Sequence, residues 1–243
     1  MKLNPSRAVV TGGGSGIGLA VAMALAGEGC RVAIGGRRLD VLRAAVASYS
    51  GDPPLVCHVL DVGNRESTRA FFDWARRELG PIDILVNSAG INVKTRTMAE
   101  MKPEQWDQVL AVNATGAYDC MHAVLPDMRS RKGGLIVNIV SIAGKRASAL
   151  GGVAYSASKF AMTALGTAVG NEEARHGIRV TNVYPGEVNT PILANRPVPV
   201  SDAQKAAMLQ PDDVAAMVVA LARLPQRAHV PELIIKPLVQ EYT

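Results

Sequence analysis

Short apolar runs and longer stretches with apolar residues at helical spacing take turns along nearly the whole chain. The runs at 8–11, 31–34, 55–60, 82–86, 135–140, 179–184 and 233–235 are too short for helices and rich in Val, Ile and Leu, as buried strands are. Between them, 17–26, 39–49, 65–79, 103–130, 155–176 and 211–224 repeat apolar positions every three or four residues, which predicts helices packed on one face. Regular alternation of the two patterns predicts β-α-β crossovers, and hence an α/β fold: a doubly wound parallel sheet of about seven strands with helices on both faces. The stretch 191–204, with Pro191, Pro197 and Pro199, breaks this regularity just after the sixth strand. Segments leaving the carboxyl ends of strands border the ligand crevice in such folds, so 191–204 is expected to be a substrate lid. No repeat, low-complexity tract or linker divides the chain, which predicts one domain over 1–243.

Composition agrees with that picture. Hydrophobic residues make up 48% of the chain and charged residues 19%, enough apolar material for a large core, while aromatics at 4% leave aliphatic side chains to fill it. The net charge of +5 is spread along the chain without a basic run. That pattern points away from nucleic acid and suits an anionic small molecule. Cys30, Cys57 and Cys120 are too few and too scattered for a disulfide framework or a zinc site, so no metal is expected. They read as buried free thiols in a reducing compartment. Lys2 and Arg7 ahead of an apolar region imitate a signal peptide, but the glycine-rich 12–18 segment interrupts it. No apolar run approaches the roughly 20 residues of a membrane span, so a soluble, cytoplasmic protein without a membrane partner is expected.

Between the first strand and the first helix lies Thr11-Gly12-Gly13-Gly14-Ser15-Gly16-Ile17-Gly18, where a dinucleotide pyrophosphate approaches the backbone of a doubly wound fold. Gly12 permits the tight turn, Gly16 keeps a Cβ out of the phosphates' path, and Gly18 lets helix and strand pack closely. The unpaired N–H groups of the helix N-terminus then face the pyrophosphate. At the end of the second strand, an acid would hold the ribose 2′-hydroxyl of NAD. The chain instead has Gly35-Gly36-Arg37-Arg38, whose guanidinium groups match a 2′-phosphate, so NADP(H) is the expected cofactor.

Tyr155 and Lys159 stand one helical turn apart and share a helix face. Chance alone produces such a pair in about one chain of this composition in six, so context decides. That context resembles the short-chain dehydrogenase/reductase family over nearly the whole length. The glycine turn, Asn87-Ser88-Ala89-Gly90 after the fourth strand, Asn113 in the long helix, Ser141 after the fifth strand, Tyr155 with Lys159, and Pro185-Gly186 after the sixth occur in the family's order. The resemblance implies a Rossmann-type dinucleotide-binding and catalytic domain. It implies that Tyr155 is the proton donor in reduction and the acceptor in oxidation, that Ser141 hydrogen-bonds the reacting oxygen, that Lys159 binds the nicotinamide ribose and acidifies Tyr155, and that Asn113 holds a water in a proton relay. It further places the cofactor against Gly12, Ser15, Gly16, Ile17, Gly18, Arg37, Arg38, Asp61, Val62, Asn87, Ala89, Gly90, Pro185, Gly186, Val188 and Thr190, with Asp61 at the adenine and Thr190 at the carboxamide. A free phenol titrates near pH 10, and moving it about three units takes about 4 kcal/mol. One ammonium about 4 Å away, at an effective dielectric near 20, supplies about that much. No metal is needed for such a reaction, because tyrosine moves the proton and the cofactor carries the hydride.

Ser88 stands where the family more often has a second Asn, and the Leu233-Ile234-Ile235-Lys236-Pro237 ending lacks the Asp-Gly-Gly common in carrier-protein ketoreductases. The tail from Pro237 to Gln240 resembles the branch that acts on 3-hydroxy acids and serine. Lys145 and Arg146, just after Ser141, could pair with a substrate carboxylate or simply be solvated. Three readings follow: a reductase of small aldehydes, ketones or 3-oxo acids; a reductase of a bulky steroid, polyketide or acyl chain; and a dinucleotide-sensing regulator without turnover. The family resemblance also implies a homodimer or homotetramer built on the helices at 103–130 and 155–176.

Overall fold

The computed structural model describes Leu3 and residues 6–241; Lys2 and Thr243 lie outside the described residues. The strands are β1 (Arg7–Thr11), β2 (Arg31–Gly36), β3 (Val56–Val59), β4 (Ile84–Asn87), β5 (Gly134–Ile139), β6 (Ile178–Pro185) and β7 (Glu232–Ile235). All pair in parallel in one sheet of order β3-β2-β1-β4-β5-β6-β7. The helices are α1 (Gly16–Gly27), α2 (Leu39–Ala47), α3 (Arg65–Leu79), α4 (Pro103–Leu110), α5 (Gly116–Arg131), α6 (Val153–Glu173), α7 (Asp202–Ala207) and α8 (Pro211–Arg223).

Successive strand residues feed two separate cores, because side chains alternate across a sheet. Ala8 and Val10, Ile84 and Val86, and Leu135 and Val137 face Val21, Leu25, Leu42, Val214 and Leu221 of α1, α2 and α8. Val9, Leu85 and Ile136 face Phe71, Phe72, Met121, Val124 and Met162 of α3, α5 and α6. Both faces of the sheet are therefore covered, which is why the strands read as nearly continuous apolar runs.

Two segments differ from the sequence expectation. The predicted helix at 103–130 is α4 and α5 joined by a π-helical turn, Ala111–Thr115. The stretch 191–204 is not without regular structure: Pro191–Asn195 forms a 3-10 turn, and Ser201 caps α7 by accepting from the Gln204 N–H at 3.2 Å. Proline fits the first turn of a helix, where no N–H is required, so Pro191 starts an element instead of ending one.

The strand order reverses between β1 and β4. In doubly wound sheets a crevice opens at the carboxyl ends of the strands flanking that point. Thr11, the last residue of β1, ties the two ends together, its Oγ1 accepting from the N–H groups of Ser88 and Ala89 at 3.1 Å each.

Candidate active site

An open cleft lies along this crevice, lined by Gly12, Ser15, Arg37, Arg38, Asp61, Val62, Ala89 and Gly90 among the sequence-predicted residues. Ile91 and Val112 also line it, as apolar walls that motif reading does not single out. Gly18 is required by a close approach, since a Cβ there would lie 2.4 Å from the Gly12 carbonyl oxygen. Gly16 has φ 53, and its missing Cβ would meet Thr190 at 3.2 Å. Its small size thus brings the glycine turn against the loop after β6, a different reason from the phosphate path expected for it. Ile17 packs against the α1 side of the core, of which the buried Val188 is also a member. Pro185 ends β6, and the Gly186 N–H donates to the Ile235 carbonyl at 2.7 Å.

Arg37 and Arg38 stand exposed at the cleft's rim just beyond β2, and neither makes an ion pair among the described residues. Asp61 spends one oxygen on the Gly63 N–H at 3.0 Å. The Asn87 side chain is buried and donates to Asn138 Oδ1 at 3.0 Å, while Asn138 donates to Asn182 Oδ1 at 3.0 Å. These three asparagines occupy one rung across β4, β5 and β6. Such a buried amide row stiffens the sheet beneath the site.

At the other end of the crevice, the first turns of α6 bring the catalytic candidates together. Ser141 lies beside the Tyr155 phenol, and its side chain acts to lower the phenol's pKa. Ser141 has φ 155 and ψ 158, a region rarely used by L-residues and concentrated at functional sites, and its Oγ accepts from the Ala143 N–H at 3.1 Å. Lys159 Nζ donates to the Ile139 carbonyl at 2.9 Å and lies 5.6 Å from the centre of the Tyr155 ring. A Cβ on Gly90 would lie 3.5 Å from Asn113 Oδ1 and 3.6 Å from Lys159 Nζ, so these three positions converge. Asn113 sits in the π-helical turn, fully buried. Its Oδ1 accepts from the Ile91 N–H at 2.8 Å, and its Nδ2 donates to the Ile91 carbonyl at 2.9 Å and to Ser158 Oγ at 3.0 Å.

Burial pushes the Tyr155 phenol above its ordinary value, and Ser141 and the charge of Arg96 oppose that rise. Lys159 is itself buried and pushed down from 10.5 to about 8. A lysine whose folded value is depressed holds fewer protons when folded than when unfolded between those two values, so stability rises with pH across that window. Lys159→Met should therefore raise stability near neutral pH by up to about 3 kcal/mol, and the gain should vanish above about pH 10.5. Thermal unfolding at both pH values checks this; a variant less stable than the native chain at neutral pH would contradict it.

Lys145, weighed as a carboxylate partner, instead pairs with Glu232 at 2.6 Å and lies 4.5 Å over the Tyr184 ring. The thiol expectation holds for Cys30 and Cys120, which are buried and pushed up to about 12 and further; Cys57 is only half-buried. Arg96 and Ser158 carry no motif signal, because an arginine in a polar loop and a serine between Tyr155 and Lys159 become informative only once the fold brings them to the site. No described helix is long and apolar enough to cross a membrane.

A parallel sheet with a glycine turn at its switch point and a Ser-Tyr-Lys cluster on the same crevice defines a dinucleotide-dependent oxidoreductase. The chain matches the short chain dehydrogenase family over residues 6–198 and belongs to it. It is 39% identical over 237 residues to the glycine betaine reductase ATRR of Emericella nidulans, covering 95% of this chain but only 18% of that protein's length. Among solved structures, it resembles an alcohol dehydrogenase from the archaeon Thermococcus sibiricus complexed with 5-hydroxy-NADP (TM-score 0.88, 28% identity, covering 98% of this chain and 99% of that one). A metagenomic short-chain oxidoreductase in complex with NADP is similar as well (TM-score 0.84, 32% identity, covering 99% and 100% of the two chains).

Proposed function

We propose that this chain interconverts a carbonyl and a hydroxyl on a small molecule, with NADP(H) as cofactor. The observation that carries the proposal is the convergence of Tyr155, with Ser141 beside it, Lys159 and Asn113 at the end of the dinucleotide cleft, Lys159 Nζ lying 5.6 Å from the centre of the Tyr155 ring. The cleft fits NADP(H): the glycine turn leaves room for a pyrophosphate, and two exposed arginines stand where a 2′-phosphate would lie. When bound, the dinucleotide supplies or accepts the hydride.

The residues do the rest. Ser141 Oγ orients the reacting oxygen, and the Tyr155 hydroxyl gives it a proton in reduction or takes one in oxidation. Lys159, beside Gly90 and Asn113, is placed to hold the nicotinamide ribose. Asn113 fixes the Ile91 backbone that walls the cleft, and Ser158 links it to the Tyr155 carbonyl at 2.8 Å. The stretch 191–204, which begins with the 3-10 turn Pro191–Asn195 next to Thr190 and the glycine turn, is the lid in this reading. The helices α4, α5 and α6 expose Trp106, Tyr118 and Phe160, which supports assembly with a second copy.

The test is NADPH consumption over small aldehydes, 3-oxo acids, cyclic ketones and acyl thioesters, with NADH in parallel. The match to ATRR adds quaternary-ammonium aldehydes to the panel. Turnover confined to the small carbonyls is expected. Turnover only with bulky apolar ketones would move the substrate class, and tight NADPH binding with none of these substrates turned over would point to a sensing role.

A further inference from the structure

The segment after β4 is fastened to the start of α6. Asn92 Nδ2 donates to the Gly151 carbonyl at 3.0 Å, and the Arg96 carbonyl accepts from the Val153 N–H at 3.1 Å. Gly152 has φ 80, and a Cβ there would lie 2.6 Å from the Arg96 Cβ. Arg96 is thus seated against the helical turn that carries Tyr155.

Arg96 is almost fully buried, at 8% exposure, yet among the described residues its guanidinium donates only to carbonyls. Nε donates to Val93 at 3.0 Å, Nη1 to Leu150, and Nη2 to Asn195 in the 191–195 turn at 2.9 Å. No carboxylate pairs with it among the described residues. Glu187 is taken by Arg196 at 2.6 Å, and the charge of Arg196 repels that of Arg96. A buried cation lacking a counter-anion is costly, so a place where an anion forms during turnover is a natural setting for one. The groups facing Tyr155 are Ser141, Lys159 and Arg96, with Arg196 and Glu187 behind the last.

We propose that Arg96 is a positioning residue for the carbonyl chemistry: one buried guanidinium locks the start of α6 to the 191–195 turn and supplies the counter-charge when Tyr155 gives up its proton. The inference rests on Tyr155 being the proton donor.

The test reads Tyr155 ionisation directly, as the difference in tyrosinate absorbance between each protein and its Tyr155→Phe counterpart, with NADP+ present. Arg96→Gln, which keeps donors but removes the charge, should raise the midpoint by about one unit or more, a tenfold or greater loss of phenolate at a given pH. Arg96→Lys keeps the charge and should leave the midpoint within about half a unit of the native one. A compact ammonium cannot reach all three carbonyls that the spread guanidinium fork contacts, so Arg96→Lys should also show faster hydrogen exchange across 191–196, a readout that stands even if Arg96→Gln does not fold. An unmoved midpoint in Arg96→Gln, an equal rise in both variants, or unchanged exchange in Arg96→Lys overturns the proposal. Turnover of Tyr155→Phe is scored separately: its retention removes the function proposed above, whereas a dead Tyr155→Phe with unmoved midpoints removes only the role of Arg96.

Discussion

Arg37→Ala should weaken NADPH binding by about 10-fold to 100-fold and leave NADH binding within about twofold of native. A charge-assisted hydrogen bond from a guanidinium contributes about 1.5–3 kcal/mol, and a 2′-phosphate offers the oxygens for a paired contact that a 2′-hydroxyl does not. Arg37 stands exposed at the cleft rim with no ion pair among the described residues, so its removal strands no buried partner and the effect should fall on the cofactor, not on folding. Fluorescence titration with both dinucleotides checks it, and added salt should erode the NADPH advantage. Equal losses for NADPH and NADH would remove the 2′-phosphate role.

Tyr155→Phe should lower turnover by about 10²- to 10⁴-fold, the range attributed to a positioned general acid, and leave NADPH affinity near native. The ring stays and only the hydroxyl is lost. Ser141 beside it continues to accept from the Ala143 N–H at 3.1 Å, which holds the serine in place. The structure also shows what the tyrosine contends with: burial raises the phenol, and the neighbouring Ser141 and a cation pull it back. That balance favours the protonated phenol at neutral pH, which suits proton donation to a carbonyl oxygen.

The sheet was legible because its central strands are buried on both faces and therefore nearly continuously apolar, while the edge strands β3 and β7 are partly exposed, and because the crossover helices carry their own period. The cleft was legible for a related reason. A glycine turn, two arginines after β2 and a tyrosine one turn before a lysine are local patterns, and the fold only has to bring their strand ends to one edge. Contacts made across the chain were not legible. The Asn87-Asn138-Asn182 rung needs the pairing register before it can be seen, and Arg96 reaches carbonyls as distant in sequence as Asn195. The π-helical turn at Asn113 adds a residue to one helical turn without disturbing the apolar pattern, so 103–130 reads as one helix. Ser201 with Gln204 is a readable capping box that the neighbouring prolines masked. Helical spacing gives proximity but not desolvation: the same burial that brings the Lys159 ammonium near Tyr155 raises the phenol and lowers the lysine.

The most direct test is a single-turnover measurement: NADPH-saturated enzyme mixed with an aldehyde from the panel, native beside Tyr155→Phe, following cofactor oxidation. The native protein should oxidise its bound NADPH promptly while the variant holds the same NADPH essentially unreacted. Oxidation in the variant within a few-fold of the native rate would contradict a proton delivered from this phenol.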